Sequence, residues 1–284
     1  MKVTDVGLHN LAASTCILII FRKMADYGAN TRHTIMVSYF ISTLCGLSFF
    51  SLEPSILFEP WFWPAAVEGV GFYLVFLLIA KTAQMNGVAV ASIAAKMSVV
   101  IPIAMGIFML GESANLFKVI GVSTGVLAVL LSASGGFGVK DIKWPLLVFV
   151  GSGAIDASLK LFEIALSSPD QFPALITTIF SFALLAVSAH YAVSSDRKVQ
   201  TPSIVSGLFL GVANFGTIYF LLNALSQSGW ESSVVYSMNN FGVVVLSMMF
   251  GMLLFREKLT HRGWLGFTLA VVSIGLIFLG TNVS

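Results

Sequence analysis

Charge is what this chain has least of. Asp, Glu, Lys and Arg make up 10% of its 284 residues, where a soluble domain carries about 25%. With 57% hydrophobic residues, water cannot be its main solvent. A net charge of +2 with dispersed Lys and Arg does not suggest a nucleic-acid surface. Only Cys16 and Cys45 are cysteines; both lie in apolar runs without metal-ligand spacing and read as small buried hydrophobes. Also absent are a Gly-x-x-x-x-Gly-Lys-[Ser/Thr] loop, a His-Glu-x-x-His helix and a Gly-x-Ser-x-Gly elbow, the signatures of ATP hydrolysis, zinc proteolysis and an ordinary serine hydrolase. No cofactor or metal is implied. The first apolar stretch runs into Arg22 and Lys23 without a small-residue cleavage site, so it reads as a retained helix and not a signal peptide.

What is present is apolar sequence in lengths of roughly 20 residues, one helical span each. The runs predict an all-α polytopic membrane protein with spans at 4 to 22, 34 to 52, 64 to 84, 87 to 110 and 115 to 133, then 144 to 165, 172 to 193, 203 to 224, 232 to 255 and 262 to 280. Ten spans and short connections use nearly the whole chain and leave no room for a soluble domain. The loop from Ser134 to Lys140 divides them into five and five, giving expected domains 1–134 and 140–284.

Sliding the sequence by 145 positions matches Gly106 with Gly251, Glu112 with Glu257 and Gly121 with Gly266, along with Val90 with Val235 and Ser92 with Ser237. Matched Val is cheap in a membrane chain; the Gly and Glu matches carry the weight. They point to an internal repeat. Because each half has an odd number of spans, equivalent helices cross in opposite senses. An inverted repeat of this kind places a solute site near the midplane between the repeats of a secondary transporter. Gly121-x-x-x-Gly125, Gly207-x-x-x-Gly211 and Gly266-x-x-x-Ala270 have the small-residue spacing that lets helices pack closely.

With Gly111-Glu112 and Arg256-Glu257-Lys258-Leu259 at helix ends, Pro102 interrupting the fourth span and glycines in the fifth and tenth, the chain resembles the EamA-like branch of the drug/metabolite transporter superfamily over nearly its full length. The resemblance implies transport of small metabolites, amino acids, sugars, nucleotide sugars or drugs, driven by an ion gradient or by exchange. It also implies termini in the cytoplasm. The basic residues say the opposite. Arg22, Lys23, Arg32, Lys140, Lys143, Arg197, Lys198, Arg256, Lys258 and Arg262 all follow odd-numbered spans, against Lys2 and Lys118 on the other face. The positive-inside rule therefore makes the loops after odd-numbered helices cytoplasmic, in a cytoplasmic (inner) membrane.

Polar groups at bilayer depth cost a few kcal/mol and usually face a bundle interior or a water-filled cavity. Lys96 lies in the fourth span, one turn from Ser92 and six residues before Pro102; it binds an anionic solute, neutralises a helix acid or, the least favoured reading, snorkels to an interface. Asp156, Lys160 and Glu163 share a face of the sixth span. Asp156 and Lys160 can pair within the helix, or Asp156 can carry a coupling proton. Glu68, near the start of the third span, is a weaker candidate for the same role. Tyr236, Asn239 and Asn240 lie on the ninth span, where the repeat register makes Asn240 the counterpart of Ala95, the neighbour of Lys96. Glu112 and Glu257 read as structural caps at helix ends, and Pro102 as a kink.

These features predict a secondary active transporter of a small metabolite, not an enzyme. Lys96, Ser92, Tyr236, Asn239 and Asn240 are expected at the solute, and Asp156, Lys160 and Glu68 in proton coupling or ion pairing. The expected partners are the solute, the lipid bilayer and protons. The alternatives are a lipid-headgroup carrier or flippase-type protein, which needs a lateral opening, and an intramembrane enzyme.

Overall fold

In a computed structural model, residues 3–49, 54–109, 115–131, 142–166, 168–193, 200–227, 232–256 and 260–282 are described. Glu112 and Glu257, with Gly111, Lys140, Arg197, Lys198, Lys258 and Leu259, lie outside the described residues. The helices are α1 (Val3–Asp26), α2 (Thr31–Leu47), α3 (Phe62–Asn86), α4 (Val88–Met97), α5 (Val100–Met109), α6 (Leu116–Leu131), α7 (Lys143–Ala165), α8 (Phe172–Ala192), α9 (Thr201–Gln227), α10 (Ser232–Phe255) and α11 (His261–Asn282). Among the described residues there is no strand.

Seven stretches are long and apolar enough to cross a membrane: Phe62–Asn86, Val88–Met109, Lys143–Ala165, Pro169–Ala192, Thr201–Gln227, Met238–Phe255 and His261–Gly280. The chain is a multi-pass helical membrane protein. Helix α6 is apolar but has 16 residues, about 24 Å at 1.5 Å per residue, short of a hydrocarbon core of about 30 Å. Helix α2 has 17 residues, and α1, of 24 residues, carries Arg22, Lys23 and Asp26 near its end.

The helices form two compact units, Met1–Leu77 with Leu161–Gln227, and Leu78–Lys160 with Ser228–Ser284. Each draws segments from both sequence halves, 1–134 and 140–284.

The first unit is built around α2, which packs against α8 and α9, while α1 also packs on α9. Its centre is aromatic. Tyr39 stacks on Phe180 with centroids 5.7 Å apart and meets Phe76 edge-on at 5.8 Å, arrangements that add to simple burial. Helix α9 comes close to α2 because Gly207 and Gly211 carry no side chain: a Cβ on Gly211 would sit 2.5 Å from the carbonyl oxygen of Ser38. That approach lets the Ser42 hydroxyl donate to the Gly211 carbonyl at 2.9 Å. Elsewhere in this unit the Tyr73 hydroxyl and His190 Nδ1 share a hydrogen bond of 2.6 Å.

The second unit is organised around α4, whose residues Ile93 and Met97 are buried with Ala128 and Val129 of α6, Val244 of α10 and Ala270 and Ile274 of α11. Helices α6 and α11 are joined through the predicted small-residue motif. The Ser273 hydroxyl donates to the Gly121 carbonyl at 2.6 Å, a contact that a Cβ at Gly121 or Gly125 would crowd. One residue, Gly87, separates α3 from α4. Its φ of 96° is a conformation that a Cβ disfavours, so glycine makes this tight reversal possible.

The fourth span is broken, as Pro102 predicts. Helix α4 stops at Met97 and α5 starts at Val100. Pro102 has no N–H to give to the Ser98 carbonyl; the N–H of Ile101 bonds to it instead, at 2.8 Å, tightening the chain by one residue. Helix α7 comes close to α5 here, since a Cβ on Gly153 would clash with the side chain of Ile101. Asp156 follows Gly153 by three residues and so lies beside the break.

Candidate functional site at the broken helix

A helix that ends inside a membrane protein exposes its last four carbonyls, which have no donors further along the chain. For α4 these belong to Ala94 through Met97. Two of them are satisfied by side chains. The Ser98 hydroxyl donates to the Ala95 carbonyl at 2.6 Å, and Asn240 of α10 donates from Nδ2 to the Lys96 carbonyl at 3.0 Å. Leaving such a buried carbonyl unpaired costs about 1 to 3 kcal/mol, so Asn240 is in effect the cap of a helix on which it does not lie.

The same Ser98 hydroxyl also reaches Asp156 Oδ2 of α7 at 3.2 Å. One turn before Asn240 on α10, Tyr236 donates its hydroxyl to the main-chain carbonyl of Asp156 at 3.2 Å. The break in the fourth span is therefore where α4, α7 and α10 are tied together. Its charges are Lys96 and Asp156, each of which acts electrostatically on the other.

Accessibility separates these residues into two groups. Ile93, Ala94, Ala95, Met97 and Ser98 are buried, and Lys96 between them is only half-buried; Asp156 is half-buried as well. Tyr236 and Asn240, at 3% and 2% exposure, are closed off, and each gives a hydrogen bond to a backbone carbonyl. The Ser92 hydroxyl, one turn before Lys96, and Asn239 Oδ1 have no hydrogen-bond partner among the described residues. Ser92 is fully buried, so the arrangement offers an ammonium, a carboxylate and the oxygen of half-buried Asn239, which suits reversible binding of a polar solute and proton exchange.

Of the residues singled out in the sequence, Lys96, Asp156, Tyr236 and Asn240 meet at this site, and Ser92 and Asn239 lie on the same two helices. Lys160, at 5% exposure, is one turn further along α7. Glu68 is half-buried on α3 in the first unit. Pro102 is buried in the first turn of α5. Ser98 is the site residue that sequence reasoning missed. Its signal was its place four residues before Pro102, the position whose carbonyl a proline strands. Among the described residues, no group of three or more His, Cys, Asp or Glu side chains could hold a metal ion.

No family model matches the chain. A protein of Haemophilus influenzae (strain Rd), described as uncharacterized, is 27% identical over 212 residues, which is 72% of this chain and 71% of that protein. The crystal structure of another protein superposes with a TM-score of 0.68 over 99% of this chain and 98% of that one, at 13% identity. The fold is thus shared, end to end, with a chain of very different sequence. Fold and site together define a polytopic helical membrane protein with a charged, polar-lined helix break.

Proposed function

We propose that the protein is a secondary active transporter of a small metabolite, with Lys96 binding an anionic group of the solute and Asp156 carrying a coupling proton. The observation that supports this most directly is the half-buried pair of opposite charges at the break of an otherwise buried helix. Discontinuous helices of this kind form the solute and ion sites of secondary transporters, and intramembrane charges that escape lipid mark solute paths and proton relays. The resemblance to the EamA-like branch of the drug/metabolite transporters points the same way.

In this reading the chain crosses the inner membrane ten times as two inverted five-helix repeats. The packing of α2 on α8, α4 on α10 and α6 on α11 pairs the second span with the seventh, the fourth with the ninth and the fifth with the tenth. These are equivalent helices in the repeat register, and an axis relating the halves brings equivalent helices together. Loops after odd-numbered spans are cytoplasmic. A single cysteine at Tyr27, which is exposed after α1, placed in a Cys16→Ser, Cys45→Ser background, is expected to resist a membrane-impermeant maleimide in intact cells and to react after permeabilisation. Labelling in intact cells would reverse the orientation.

Function is tested by untargeted metabolite profiling of cells lacking and overproducing the protein. A small set of anionic or zwitterionic metabolites is expected to redistribute between cells and medium in opposite directions in the two strains. Unchanged metabolites accompanied by an altered distribution of lipids between leaflets would favour a headgroup carrier instead.

A further inference from the structure

Tyr236 and Asn240 are the polar residues that a solute site in this region would be expected to use, yet both are closed off and each donates to a backbone carbonyl. The carbonyls they hold are not arbitrary. Asn240 Nδ2 takes the main-chain oxygen of Lys96 at 3.0 Å, and the Tyr236 hydroxyl takes the main-chain oxygen of Asp156 at 3.2 Å. Two side chains one turn apart on α10 thus grip the backbone of the two residues that carry the opposite charges, one on α4 and the other on α7.

We propose that Tyr236 and Asn240 are positioning residues: a clasp on α10 that sets the register between the Lys96 and Asp156 side chains through their own backbone carbonyls and does not touch solute. The two grips differ in kind. The Lys96 carbonyl is one of the last four of α4 and has no donor further along its helix, so Asn240 supplies its bond. The Asp156 carbonyl lies inside α7, where the helix already provides a donor, so Tyr236 adds a second bond that orients more than it satisfies. Asn240 is therefore the stronger half of the clasp. Positions four apart share one helix face, so α10 presents both donors on the same side. The Ser98 hydroxyl, shared between the Ala95 carbonyl and Asp156 Oδ2, closes the third side of the same arrangement and keeps the carboxylate turned toward α4.

The functional meaning of the clasp rests on the reading of Lys96 and Asp156 as the solute and proton groups, but its test does not. The coupling between the two charges is measured by a double-mutant cycle of Lys96→Met and Asp156→Asn, read as the sodium dodecyl sulfate concentration that unfolds the purified full chain in mixed micelles. The cycle is run in the wild-type background, in Asn240→Leu and in Tyr236→Phe. The two charges are expected to be non-additive in the wild-type background, with the non-additivity reduced to less than half by Asn240→Leu and reduced partially by Tyr236→Phe. A merely structural role for the α10 side chains would lower all four midpoints together and leave the non-additivity unchanged. That result overturns the proposal, as does additivity of the two charges in the wild-type background. If Asn240→Leu does not fold, Tyr236→Phe, which deletes a single hydroxyl, carries the test. No solute or gradient enters the measurement, so a protein that fails to transport leaves this outcome standing, and loss of the clasp leaves the transport reading standing.

Discussion

Replacement of Lys96 by Met is expected to leave the protein folded and to weaken binding of an anionic solute by roughly ten- to a hundred-fold, the equivalent of about 1.5 to 3 kcal/mol for one charge-assisted contact. Met keeps the aliphatic length and packs adaptably, so the buried surroundings of α4 lose little. The ammonium is what goes. Because the Lys96 carbonyl, not its side chain, is the acceptor for Asn240, the tie between α4 and α10 survives the substitution. Lys96→Arg provides a control, since a planar guanidinium binds a carboxylate or phosphate in a different geometry from a compact ammonium. Binding to the purified protein is measured with the solute that profiling identifies. Wild-type affinity in Lys96→Met would remove this residue from the site.

Asp156→Asn is expected to separate two activities that a simple loss of fold would abolish together. The amide keeps the size of the carboxyl and can still accept from the Ser98 hydroxyl, and the Tyr236 bond, which goes to the main chain, is untouched. What is removed is the capacity to gain and lose a proton, and with it the negative charge that acts on Lys96. Solute exchange across proteoliposomes, which needs no net proton movement, should persist near the wild-type rate. Accumulation driven by a pH gradient should fall to background. If both activities fail in a folded variant, Asp156 serves as the counter-ion of Lys96 and not as the proton carrier.

Much of the architecture was legible because lipid as a solvent leaves a plain record in sequence: long apolar runs, few charges and small residues at the spacing that lets helices touch. Gly207, Gly211 and Gly121 lie at close approaches between helices, and Pro102 marked the break in the fourth span. The two compact units were not legible. A repeat register compares positions along the chain, whereas the units are assembled from segments distant in sequence, with α3 and α7 each divided between them.

The site was legible as a set of residues and less so as a set of roles. Helical periodicity shows which face a residue occupies, so Asp156 was read against Lys160, its neighbour one turn away. The charge that acts on it from α4 is invisible to that rule. Tyr236 and Asn240 stood out as polar groups at bilayer depth, but polarity does not reveal a partner. Their partners are carbonyls, one of which is available because the helix stops at Met97. Ser98 was overlooked because a lone serine in an apolar helix carries no charge and joins no motif. Its importance comes from a proline four residues later and an aspartate on another helix.

The most direct test of transport itself is uptake of the profiled solute, radiolabelled, by purified wild-type protein in proteoliposomes under an imposed pH gradient. Accumulation above the external concentration that collapses on addition of a protonophore is the predicted result; solute that only equilibrates, or does not enter, would contradict proton-coupled secondary transport.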